Sequence, residues 1–229
     1  MASVTQNRIP PLENGDRLSR EEFERRYDAM PNVKKAELIE GVVYMPSPVR
    51  VDQHGTPHFD LITWMGFYRW ATPGVRGADN ASIRLDVGNM PQPDVCLFID
   101  PALGGQAQIS ADDYLEAAPE FIGEVAASSV SQDTTTKLSV YRRHGALEYL
   151  VWRVQDGAID WYVLKRNRFV KQDPDADGLQ RSKVFPGLWL DPAAMIRGDT
   201  GAVRAALERG LASPEHAEFV RRLSDRRPT

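Results

Sequence analysis

Two acidic residues stand where apolar strands should not want them. Asp94 opens the run Pro-Asp-Val-Cys-Leu-Phe-Ile, and Glu124 interrupts Phe-Ile-Gly-Glu-Val-Ala. An ionised carboxylate in an apolar surround is costly unless a cation or a hydrogen-bond donor meets it. Two carboxylates that converge at adjacent strands make an oxygen cage for a hard divalent ion such as Mg²⁺ or Mn²⁺, and the main-chain carbonyl of Val125 offers a further oxygen. Lys137 lies one helical turn beyond Asp133, at the border of an inward stripe formed by Leu138 and Tyr141, so its ammonium can turn back toward the strand end. There it could stabilise charge on a phosphate or position an attacking water. Spacing alone favours a plainer reading, in which Lys137 sits on a solvated helix face and forms an ordinary i,i+4 ion pair with Asp133.

Holding these groups together requires strands ended by turns and helices that return across a sheet. Ser19 is an N-cap with Glu22 at the capping-box position, so a helix is expected to about Met30, stapled by Leu18 and Phe23. Residues 36–45 are rich in Val, Ile and Tyr around Gly41 and read as two strands meeting at a turn or as one bulged strand, ended by Pro46 and Pro48. Thr56 as N-cap and Pro57 at the first helical position start a second helix, whose stripe of Leu61, Trp64, Met65 and Tyr68 runs on until Pro73 and Gly74. Strands are expected over 82–87, 94–99 and 120–126, the last followed by a polar Ser/Gln stretch and a helix capped by Asp133 and closed by Gly145. Residues 148–154 and 158–164 form a hairpin about Asp156 and Gly157. Strands at 168–172 and 184–190 follow, separated by an acidic Pro/Asp/Gly loop, and then helical stretches near 203–209 and 215–223.

With 229 residues, 42% of them hydrophobic, the chain has material for one sizeable core. We expect a flexible segment over 1–17, the domain over 18–210 and a helical tail over 211–229. No window approaches the roughly 18 consecutive apolar residues of a membrane span, and the start lacks the regions of a signal peptide, so a cytoplasmic protein is expected. A single cysteine, Cys96, excludes an internal disulfide or a CxxC knuckle, and its apolar neighbours make it a small buried side chain. The net charge of −4 argues against a broad, non-specific grip on nucleic acid, so any such contact must use local basic patches.

Other candidates have plain explanations. His54 and His58 have the spacing of two ligands on one helical face, but Pro57 places the helix start between them, which counts against a zinc pair. Trp64, Trp70, Trp152, Trp161 and Trp189 read as core and interface residues rather than base-stacking platforms. Arg142, Arg143 and His144 close a helix, where positive charge complements the dipole.

The run EVAASSVSQDTTTKLSVYRRHGALEYLVW, from Glu124 to Trp152, resembles the central motif of the Uma2 family. AELIEGVVYMPSP resembles that family's N-terminal strand motif, PQPDV its Pro-Asp motif, and VFPGLWLDPAA the C-terminal block of one subgroup. The likeness spans roughly 18–209. It implies an α/β (α+β) fold of the PD-(D/E)xK, restriction-endonuclease-like kind: a mixed central sheet flanked by helices, with extra C-terminal strands. It also implies Asp94 and Glu124 as metal-binding acids, Lys137 as the catalytic lysine, and Glu37, in preference to Glu40, as the acid that completes the site. The superfamily's usual lysine follows the acid by two residues; Ala126 stands there, and the resemblance is to the variant whose lysine has moved to the next helix. Ser128, Ser129 and Gln132 could contact phosphate or simply form the turn.

The function so implied is a Mg²⁺- or Mn²⁺-dependent endonuclease acting on DNA, with a homodimer as the expected assembly. A silent binding or interaction module on the same fold, or a phosphodiesterase with another substrate, are the alternatives.

Overall fold

The structure, a computed structural model, describes residues 9–45, 50–127 and 129–226. The expectations for Pro46, Pro48 and Ser128, and for the outer part of the N-terminal segment, fall outside these residues. Helix α1 (Arg20–Asp28) begins as expected, with the Ser19 hydroxyl accepting from the Glu22 N–H. The reciprocal half of the capping box is not made, because Glu22 turns its carboxylate to Arg25 and Arg26 instead. Strands β1 (Glu37–Ile39) and β2 (Val42–Tyr44) settle the ambiguity over 36–45 in favour of two antiparallel strands. The link between them, Glu40 (φ 51°) and Gly41 (φ 73°), has the paired left-handed backbone of a tight hairpin turn.

The second helix starts earlier than its sequence suggests. A π-helical turn over Val51–Gly55 runs directly into α2 (Thr56–Ala71), so Thr56 is inside the helix and not its cap. Pro57 likewise stands inside the helical run and not at its first position. His54 and His58 are therefore on one continuous helical run, with ring centroids 5.3 Å apart.

After α2 come β3 (Val75–Asp79), β4 (Ile83–Arg84), β5 (Val95–Ile99), β6 (Gln108–Ile109), β7 (Leu115–Glu116) and β8 (Phe121–Ala126). Helix α3 (Leu138–Arg143), β9 (Glu148–Arg153), β10 (Ala158–Lys165) and β11 (Arg168–Lys171) complete the central part. Six strands form one sheet in the order β11-β10-β9-β8-β5-β3. All neighbours are antiparallel except β8 and β9, and that parallel pair needs the crossover that carries α3. The hairpin at Asp156-Gly157 forms as expected. The strand expected over 82–87 shrinks to β4, since Asp86 accepts the Gly88 N–H in a tight turn. The strand expected over 184–190 shrinks to β13 (Trp189–Leu190), paired with β12 (Gln180–Arg181), because Phe185 and Gly187 (φ 90°) make a turn. Helices α4 (Pro192–Arg197), α5 (Thr200–Leu211) and α6 (Pro214–Asp225) close the chain.

The largest core lies between one sheet face and α2, where Leu61, Trp64, Met65 and Tyr68 meet Phe121, Leu150 and Trp161; Leu207 of α5 and Phe219 and Leu223 of α6 join it. On the opposite face, Ile122, Ala126, Tyr149 and Val151 pack against Tyr141 of α3. Trp70 departs from expectation and lies exposed on α2. No helix among the described residues is long and apolar enough to cross a membrane.

Candidate active site

Alternation along β8 sets the direction of its acid. Phe121 and Val125 belong to the core on the α2 side, while Ile122 and Ala126 belong to the α3 side; Glu124 shares the latter face and is fully enclosed beneath α3. Two side chains one helical turn apart reach it there. Lys137 Nζ is 2.9 Å from Glu124 Oε1, and the Tyr141 hydroxyl donates to the same oxygen at 3.0 Å. Lys137 is thus buried, contrary to the solvated-face reading.

Asp94 immediately precedes β5, whose pairing with β8 ends at Val95 opposite Gly123. Beyond that point β8 has an open edge, and the Val125 N–H donates into it, to Asp94 Oδ2 at 2.8 Å. The Val125 carbonyl points to the same side, because N–H and C=O of one strand residue share a direction, while Ala126 O accepts on the β9 side from Val154. The two acids touch through the main chain, Asp94 N lying 3.4 Å from Glu124 Oε2.

Glu37 arrives from a different part of the chain. Leu38 and Met90 exchange both main-chain hydrogen bonds, at 3.1 and 2.8 Å, which lays β1 alongside the approach to Asp94. Glu37 Oε1 then accepts the Gln92 N–H at 2.8 Å and stands 2.9 Å from Lys137 Nζ. Glu40, in the turn, pairs with Arg143 at the surface. Asp133 is not a cap: helical geometry already begins before it, with a π-helical turn over Gln132–Lys137, and its buried carboxylate lies 3.5 Å from Lys137 Nζ. Ser129 donates its hydroxyl to Asp133.

The site holds further groups. Lys35 Nζ donates to Asp94 Oδ1 at 2.9 Å and to Asn80 Oδ1 at 3.0 Å. His54 Nε2 lies 3.3 Å from Asp94 Oδ2, and His58 donates to the Asp94 carbonyl at 2.9 Å. Sequence reading missed Lys35 and set the histidines aside. Their four-residue spacing was the available signal, and it was discounted because Pro57 was read as the helix start.

Burial and charge pull the two central acids apart. Burial alone would raise the Asp94 carboxyl, but the hydrogen bond with His54, the Lys35 charge and the Val125 N–H together hold it well below the usual carboxylate range. Burial pushes Glu124 up to about 8 against the pull of Lys137, helped by the like charges of Asp94, Asp133 and Glu37. Burial likewise raises Asp133. Burial pulls the Lys137 ammonium down, and the charges of Glu124, Glu37 and Asp133 outweigh it and hold the group well above its ordinary value.

A divalent ion fits this donor set by chemistry. Asp94, Glu124 and the Val125 carbonyl are hard oxygen donors of the kind such an ion takes. Among the described residues no three His, Cys, Asp or Glu side chains converge as a ready-made cage. Among the described residues Asp133 Oδ1 and His54 Nδ1 are buried without hydrogen-bond partners, which marks the surroundings as polar.

Residues 20–193 match the family model Uma2, described as "Putative restriction endonuclease". The chain belongs to the Uma2 family. Its fold is also that of a crystal structure described as "a putative nuclease belonging to DUF820 from Anabaena variabilis ATCC 29413", with a TM-score of 0.55, 16% identity, and coverage of 75% of this chain and 97% of that one. No curated protein matches the chain. The mixed six-stranded sheet flanked by helices agrees with the nuclease-like fold expected for a Uma2 protein.

Proposed function

We propose that this Uma2 protein is a divalent-metal-dependent nuclease that hydrolyses phosphodiester bonds of DNA. The observation that carries the reading is the charge of the enclosed site. Four carboxylates, Glu37, Asp94, Glu124 and Asp133, face two ammonium groups, Lys35 and Lys137. Fully ionised, that leaves two formal negative charges uncompensated in a desolvated place, and one divalent cation balances them. The family's description and the nuclease-like fold support the same reading.

Asp94, Glu124 and the Val125 carbonyl would hold the ion, whose chemistry is to polarise the scissile phosphate and acidify a bound water. The protein's own residues prepare the site. Lys137 and Tyr141 fix Glu124, Lys137 links it to Glu37, and the Val125 N–H and His54 orient Asp94. For an acidic protein, contact with DNA must be local. The turn between β10 and β11 supports one such contact: Lys165, Arg166 and Arg168 are exposed there, Arg142 reaches the Asn167 carbonyl beside them, and none of the four has an acidic partner among the described residues.

The test is incubation of supercoiled, linear and single-stranded DNA, and of a small chromogenic phosphodiester, with Mg²⁺, Mn²⁺ or a chelator. Metal-dependent scission of DNA is the expected result. Turnover of the small ester alone would reassign the substrate, and no turnover would favour a binding module.

A further inference from the structure

The two lysines of the site differ in what they can reach. An ammonium carries three N–H donors. Lys137 gives one to Glu124 at 2.9 Å, and its Nζ stands 2.9 Å from Glu37 and 3.5 Å from Asp133 in an enclosed place, the side chain only 5% exposed. It has no path to a substrate. Lys35 has two acceptors, Asp94 and Asn80, and its side chain is 26% exposed. Among the described residues one donor is therefore unassigned, on a cation held in the site yet partly exposed.

We propose that Lys35 is the catalytic lysine that meets the substrate phosphate, and that Lys137 is a positioning residue for the acids. The inference rests on the nuclease reading above and assigns the phosphate contact within it. Lys35 immediately precedes the segment that delivers Glu37, and the carboxylates of Asp94, Glu124 and Glu37 all act on its charge, so it shares their site. Phosphoryl transfer spreads negative charge over the non-bridging oxygens, and catalysis of it is mostly positioning and charge stabilisation. A fixed ammonium with a free N–H at the exposed side of the acid pair supplies that stabilisation, whereas one enclosed among carboxylates cannot reach the phosphate. Lys35 donates a hydrogen bond and keeps its proton throughout; a water oxygen bonds to phosphorus, the bond from phosphorus to the leaving ester oxygen breaks, and the proton the water gives up balances the alcohol that leaves, with no group passing through the lysine.

The neighbouring Lys34 provides an internal control, being exposed and hydrogen-bonded to the Pro31 carbonyl at 3.0 Å. The experiment compares wild type, Lys35→Met, Lys35→Arg and Lys34→Met. Each is assayed for DNA cleavage with Mg²⁺ and for equilibrium binding of a short fluorescent duplex with Ca²⁺ across a salt series. Lys35→Met should lose about 100-fold or more in cleavage rate, the scale for removing one fixed donor to a developing anion. Its slope of log affinity against log salt should fall by about one, the signature of a lost phosphate contact, with Lys35→Arg restoring the slope. A purely structural role for Lys35 would leave that slope unchanged.

Wild-type cleavage with Lys35→Met equal to it in rate and slope would overturn this assignment and leave the nuclease reading intact. A wild type that neither cuts nor binds DNA would overturn both. Should Lys35→Met fold poorly, Lys35→Gln, which retains a hydrogen-bond donor toward Asn80 but no charge, must show the same loss of slope.

Discussion

Replacing Lys137 by Met removes one positive charge from among three enclosed carboxylates while keeping most of the side chain's apolar volume. Lys137 Nζ stands within 3.5 Å of Glu37, Glu124 and Asp133, all of them buried. Removing one partner from a buried ion pair typically costs about 3–5 kcal/mol, because the charge left behind has no compensation. For a chain of this size each kcal/mol lowers the thermal midpoint by roughly 2–4 °C, so a loss of about 10 °C is expected at pH 8. Escape is available by protonation: burial already raises the carboxyls of Glu124 and Asp133, and without the ammonium they take up protons still more readily. The deficit should therefore shrink on going to about pH 5.5. Scanning calorimetry of wild type, Lys137→Met and the exposed control Lys34→Met at the two pH values reads this directly. A Lys137→Met midpoint equal to wild type at pH 8 would refute the electrostatic account, and an equal loss at both pH values would refute the protonation escape.

Three further outcomes follow from other parts of the molecule. Burial raises Glu148 from 4.5 to about 7, a shift worth roughly 3 kcal/mol; since the folded value is the higher one, its contribution is whole below pH 4.5 and lost as pH rises through about 7, so denaturant titrations of Glu148→Gln should lack that part of the wild-type decline. Alanine for glycine within a helix ordinarily gains up to about 1 kcal/mol, but at Gly210 of α5 the added methyl would overlap the Gly187 carbonyl and the Trp189 ring, so Gly210→Ala should lower the melting temperature. Burial pushes the Cys96 thiol up to about 12, so a thiol reagent at pH 8 should label it only after unfolding; rapid labelling of the native protein would contradict its placement in the core.

The acids were legible because of where they sit. A carboxylate at the head of Val95–Ile99 and another inside Phe121–Ala126 break apolar runs, and no helix or loop explanation absorbs them. Lys137 could not be separated from a solvated lysine by spacing, and only the family resemblance singled it out. Its burial depends on the π-helical turn Gln132–Lys137, a local geometry without a signature in residue type, and the same turn makes Asp133 an interior residue when its type suggested a cap. Lys35 was invisible for another reason. Its partners Asp94 and Asn80 are distant in sequence and are brought to it by the pairing of Leu38 with Met90, so nothing local marks it. β3 was missed because Val75 is its only buried residue, which leaves this edge strand without an alternating pattern to read. The C-terminal helices, by contrast, announced themselves through Val203 and Leu207, and through Phe219 and Leu223, each pair spaced for one helical face.

The most direct test of the central claim is Mg²⁺-dependent nicking of supercoiled plasmid by wild type beside Asp94→Asn and Glu124→Gln, prepared identically and shown to melt cooperatively. The account predicts metal-dependent nicking by wild type that disappears in both variants, since each removes a carboxylate from the oxygen set that would hold the ion. Nicking retained at the wild-type rate in either variant would place the activity elsewhere and contradict the assignment of this site.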